Sequence, residues 1–133
     1  MLSRHLLESY VSLLVARETN VWISTKEPAD KPEPVKVEVN KLVNYALRQS
    51  LYYNDILSVL QQTGQPYRMI DYSEVNDLDM LNDLAAFIGS AHRMDKVEQP
   101  IKKQNPGSLA DKIVDFPKLK EELRKRQMLR WLA

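Results

Sequence analysis

One stretch of this chain, YRMIDY at positions 67–72, has the short, aromatic and apolar character of a β-strand, and turn chemistry at Thr63-Gly64-Gln65-Pro66 bounds it on its left. A lone strand leaves both edges unpaired and cannot make a sheet. Everything else apolar recurs at helical spacing. The chain is therefore expected to be predominantly helical with one or two short strands. Either Met1 to Arg4 supplies a second strand, or the sheet partners of residues 67–72 lie outside this chain.

The helical signals are strong. In SRHLLESYVSLLVARETNVW, residues 3–22, the positions Leu6, Leu7, Tyr10, Val11, Leu14 and Val15 make a broad apolar face and predict a helix from Ser3 to about Thr19. KEPADKPEPV, residues 26–35, places prolines among charges and predicts a surface loop, because X-Pro steps favour extended backbone. A long helix is expected from about Lys36 to Gln62, with Val39, Leu42, Val43, Ala46, Leu47, Tyr53, Ile56, Leu57 and Leu60 on its inner side. Gly64 and Pro66 stop it. Asp77 caps a helix running to Phe87 or Ile88, with Leu81, Leu84, Ala85 and Ile88 inward and Gly89 at its end. Residues 90–108 read as irregular. A last helix starts near Asp115 to Pro117, with Glu121 and Glu122 early and Arg124, Lys125, Arg126 and Arg130 late, the order that suits a helix dipole.

At 133 residues the chain is one domain's worth, spanning 1–133. It has no cysteine, so disulfides and thiolate metal sites are excluded, and His5 and His92 stand in unrelated segments, which argues against zinc. The longest apolar run, Val11 to Ala16 with Ser12 inside it, is far short of the roughly 20 residues of a membrane span. With no basic-then-apolar leader, a soluble, cytoplasmic protein is expected. Charge is uneven: residues 1–100 carry 10 basic and 14 acidic side chains, residues 101–133 carry 9 and 4. The basic tail suits an anionic partner or a solvated helix. The acidic residues elsewhere and the lack of a recognition-helix motif argue against nucleic acid.

Four segments, in order, are similar to the C-terminal half of the P-loop-like sulfotransferases, closest to the bacterial nodulation and lipopolysaccharide type. Arg4 to Ser12, an R-x7-S pattern, resembles the segment in which an arginine ending a core strand and a helical serine bind the 3′-phosphate of 3′-phosphoadenosine-5′-phosphosulfate. PYRMIDYSEV, residues 66–75, resembles the strand ending in a tyrosine-acid-acid-leucine stretch, here departing to Ser73-Glu74-Val75. LNDLAAFIGS, residues 81–90, resembles the helix closing on phenylalanine, an aliphatic residue and glycine. IKKQNPGSLADKIVDFPKLKEEL, residues 101–123, resembles the lysine-glutamine loop and following helix. His5 stands where the subgroup usually shows asparagine. The resemblance covers nearly the whole chain but only about the later half of the family's domain, and it implies an α/β, P-loop NTPase-like fold present here as its mainly helical C-terminal portion.

The resemblance implies a sulfotransferase-like protein that binds the 3′-phosphate side of 3′-phosphoadenosine-5′-phosphosulfate, or adenosine 3′,5′-bisphosphate, for sulfuryl transfer to a hydroxyl of a carbohydrate or small acceptor. The implied nucleotide-binding residues are Arg4, Ser12, Tyr72, Lys102, Lys103, Gln104 and Asn105, with no catalytic residue and no metal assigned. The chemistry is apt. A guanidinium forks onto phosphate oxygens, a hydroxyl adds a donor, a lysine-rich loop can wrap an anion, and a strand-end tyrosine can stack on adenine. The plainer readings stand beside these: a surface arginine, a tolerated helix serine, a half-buried strand tyrosine and a solvated loop. Trp22 and Trp131 read as fillers of core or interface gaps, and His92 as a surface residue. No glycine-rich phosphate loop follows a strand, so the isolated chain is expected not to transfer sulfate, and to act with a complementary N-terminal half or as a homo-oligomer. The alternative is a shortened, non-catalytic family member serving as a helical binding or assembly module.

Overall fold

The structure, a computed structural model, describes residues 2–3, 5–22, 33–98 and 107–132, with only the backbone at Leu2 and Ser3. It is mainly helical. A two-residue strand β1 (Leu2–Ser3) leads into helix α1 (Leu6–Thr19). The long helix α2 (Val39–Thr63) follows, then strand β2 (Ile70–Asp71), a 3-10 turn at Tyr72–Glu74, and helix α3 (Leu78–Phe87). A single-turn helix α4 (Leu109–Lys112), helix α5 (Phe116–Lys125) and a 3-10 turn at Leu129–Leu132 complete it. Among the described residues, no helix is long and apolar enough to cross a membrane.

The core forms where α1, the start of α2 and α5 meet. Leu7, Tyr10, Val11 and Val15 come from α1 at the spacing that repeats on one helix face. Val39 and Leu42 come from α2, Leu119 and Leu123 from α5, and the C-terminal turn adds Trp131 and Leu132 at the margin. Leu7, Leu42 and Leu123 are wholly buried. Ser9 Oγ and the Tyr45 hydroxyl lie 2.7 Å apart, and the Tyr10 and Tyr45 rings are tilted at 5.1 Å, so α1 and α2 are joined by polar as well as apolar contact.

Several expectations are corrected. Val35 lies in the core, not in the surface loop, because its N–H donates to the Lys112 carbonyl at 2.8 Å and its carbonyl accepts the Val114 N–H at 3.0 Å. These bonds make an isolated parallel bridge with Ile113, and α2 starts only at Val39, after an extended Glu38. Leu47 faces solvent: it follows Ala46, the last buried residue of α2, and one residue is about 100° of helical rotation. Ile88 is 73% exposed, since α3 ends at Phe87 and left-handed Gly89 (φ 81°) turns the chain before Ile88 can join the inner face. Trp22 is 58% exposed; α1 stops at Thr19, and Asn20 (φ 56°) sends Val21 and Trp22 off the packed face. Of the surface loop expected over 26–35, residues 26–32 lie outside the described residues; Glu33 and Pro34 are exposed.

The start of the chain does supply a second strand. Leu2 pairs with Ile70 and Ser3 with Asp71, in parallel. The strand expected over 67–72 shrinks to Ile70–Asp71, which pairs with Leu2–Ser3 among the described residues, and Tyr67 and Met69 stay exposed. Parallel neighbours require a crossover, here the α1 and α2 segment.

Candidate functional site at the strand ends

A parallel pair has one end at which both chains leave in the same direction. After Ser3 the chain passes to α1, and after Asp71 it passes to Tyr72. Tyr72 and the beginning of α1 therefore lie at the same, carboxyl, end of the two strands. In open parallel α/β sheets this end is where ligands bind.

Local chemistry fixes Tyr72 there. Asp71 Oδ1 accepts the Ser73 N–H at 2.9 Å and the Ser73 hydroxyl at 2.6 Å, while Glu74 Oε2 accepts the Asp71 N–H at 2.8 Å. This reciprocal capping box closes the turn Tyr72–Glu74 directly on the strand. Glu74 supplies the carboxylate of the box, and the Ser73 hydroxyl adds a further bond to Asp71. Tyr72 is half-buried. Ser12 lies on α1, also half-buried, about two turns above the helix start.

Of the sequence-derived candidates, only Ser12 and Tyr72 are among the described residues; Arg4 and Lys102, Lys103, Gln104 and Asn105 lie outside them. His92 is exposed in the irregular stretch after α3. That stretch is pinned by a residue the sequence reading passed over. Asn82, the buried residue of α3, donates from Nδ2 to the Met94 carbonyl at 3.0 Å and accepts the Met94 N–H on Oδ1 at 2.7 Å. An asparagine among apolar inner positions was the available signal.

A concavity of about 530 Å³ lies between the start of α2 and α5 and includes Lys36, Asn40, Asp115, Lys118, Glu122 and Arg126 in its lining. Arg126 Nη1 donates to Asn40 Oδ1 at 2.8 Å. Lys36, Lys118 and Arg126 are balanced by Glu38, Asp115 and Glu122 in its lining, so its net charge favours neither sign, and neither Ser12 nor Tyr72 lines it. At its edge Glu38 accepts from Lys41 Nζ at 2.9 Å, a hydrogen bond that holds the Glu38 carboxyl below the usual carboxylate range and the Lys41 ammonium above its own. No family model, curated protein or solved structure matches the chain.

Proposed function

We propose that this is a sulfotransferase-like, nucleotide-binding protein of the P-loop-like α/β kind, and that the carboxyl end of β1 and β2 receives the 3′-phosphate side of 3′-phosphoadenosine-5′-phosphosulfate or adenosine 3′,5′-bisphosphate. The observation that carries the reading is the parallel pairing of Leu2–Ser3 with Ile70–Asp71, which brings the chain leading into α1 and the turn bearing Tyr72 to one strand end. Two half-buried side chains with hydroxyls, on elements that leave this end, fit the polar and stacking needs of a nucleotide. In this reading Ser12 donates to phosphate, Tyr72 flanks the base, and Arg4 with Lys102, Lys103, Gln104 and Asn105 supplies the charge. The bound group would bring the sulfuryl to be transferred, its acceptor being a hydroxyl on a carbohydrate or small molecule.

Calorimetric titration with adenosine 3′,5′-bisphosphate tests this. Binding is expected, weaker as salt rises because much of the contact is charge on charge, and lowered in Arg4→Ala and Ser12→Ala. Absence of binding in the wild type, or equal binding by wild type and both variants, would remove the proposal.

A further inference from the structure

The distal part of α2 carries a surface that nothing in the chain's core explains. Arg48, Leu51, Tyr52, Asp55 and Val59 fall within an arc of about 100° on the helix, taking 100° per residue. All are exposed, Leu51 by 63%, Tyr52 by 61% and Val59 by 57%. Arg48 and Asp55 form no ion pair among the described residues. They stand seven residues apart, about 10 Å along the axis, too far to pair with each other.

Two large apolar side chains lie between an unpaired cation and an unpaired anion, which makes this face complementary to itself when reversed. We infer that it docks on the same face of a second copy of this chain, with the two α2 helices antiparallel about a two-fold axis passing between Leu51 and Tyr52. In that register Leu51 lies opposite Tyr52 of the second copy and Arg48 lies opposite Asp55, each contact occurring twice by symmetry. The flanks raise no conflict: Lys41 comes opposite Gln62 and Asn44 opposite Val59. A parallel pairing would instead set Arg48 on Arg48 and Asp55 on Asp55. Charge complementarity therefore selects both the occupant and its direction.

Sedimentation equilibrium from low to high micromolar concentration, at low and high salt, tests the pairing. The wild type is expected to dimerise, more weakly at high salt. Arg48→Glu sets two carboxylates against each other at each charged contact, and Asp55→Lys sets two cations there, so each variant alone should dimerise about tenfold or more weakly. In an equimolar mixture of the two variants, a mixed dimer faces the new glutamate with the new lysine at one contact and keeps Asp55 opposite Arg48 at the other. It should form about as tightly as the wild-type dimer. Circular dichroism of each variant checks that these exposed substitutions leave the helices intact. A wild type that stays monomeric, or a dimer that ignores both reversals, would overturn the inference. So would a mixture no tighter than its components.

Discussion

Residues 39–46 and 47–63 are two parts of one helix with one apolar stripe, in different surroundings. In the first part Val39 and Leu42 are buried in the core with α1 and α5, and Ala46 is buried beside them in sequence; in the second the continuation of the same face, Tyr53, Ile56, Leu57 and Leu60, is only half-buried. Helical length explains the split. At 1.5 Å per residue α2 is about 37 Å long, α1 about 21 Å and α5 about 15 Å, so the shorter helices can cover only part of it. The lesson is that an apolar period states which face wants cover, while the partners' lengths decide how much of it receives cover.

The largest effect should come from setting the two parts against each other with one substitution. Leu42→Ala, in the wholly buried part, should destabilise by about 2–5 kcal/mol, the usual cost of a leucine-sized core cavity. Leu57→Ala, half-buried farther along the same face, should cost only about 1 kcal/mol. Urea unfolding followed by circular dichroism measures both. Equal losses at the two sites would mean that the distal part is as well packed as the proximal one.

A smaller effect is expected outside the helix pair, at Asn82. Alanine there removes a donor and an acceptor at once and leaves the Met94 N–H and carbonyl without their partner, a loss of about 1–3 kcal/mol. Hydrogen exchange should accelerate at residues 90–98 in Asn82→Ala, while the α1 amides change only with global stability. If residues 90–98 kept their exchange rates, the clamp would not be what holds them.

Below that lies the distal end of α2 itself. Gly64 adopts φ 64°, and its N–H and that of Gln65 reach back to the Gln61 and Leu60 carbonyls. A Cβ at Gly64 would meet nothing within 4 Å, so Gly64→Ala should cost only the left-handed conformation, about 1 kcal/mol. Because the distal part is thinly packed, that cost should show as fraying of the last turns by hydrogen exchange more than as a change in unfolding midpoint. A full shift in midpoint without fraying would show the distal turns to be coupled to the core.

These contrasts also mark how far the sequence could be read. The α1 face, the Gly64 stop and the Asp77 cap were legible because each is written in neighbouring residues: the Asp77 carboxylate accepts the Met80 N–H at 2.9 Å, three residues on. The Ser108-Leu109-Ala110-Asp111 capping box was equally local, and it could have announced α4. The Val35 and Ile113 bridge was not legible, because a single pair so far apart in the chain leaves no periodic trace. The same holds for β1: two residues carry no strand pattern, and their pairing with Ile70–Asp71 is decided by tertiary packing. At the candidate site, residue type pointed to Ser12 and Tyr72, but the strand end that Tyr72 and the start of α1 share is set by that long-range pairing.

The smallest expected effect is electrostatic and belongs to the proximal end of α2. Glu38 is the residue before the helix, and its hydrogen bond from Lys41 lowers its carboxyl affinity for protons in the folded state. A depressed folded value means that the contribution is fully present above the ordinary glutamate pKa of about 4.3 and is lost as pH falls through that value toward the folded one. Glu121, held low chiefly by its hydrogen bond from Arg124, has the same sign. Both pairs are open to water, where ion pairs contribute little and salt weakens them further. Thermal melts from neutral pH to pH below about 4 should therefore fall slightly less steeply for Glu38→Gln than for the wild type, with the difference shrinking at high salt. Parallel curves would mean that the pair does not stabilise the helix start, and a wild-type curve flatter than that of Glu38→Gln would reverse the sign argued for it.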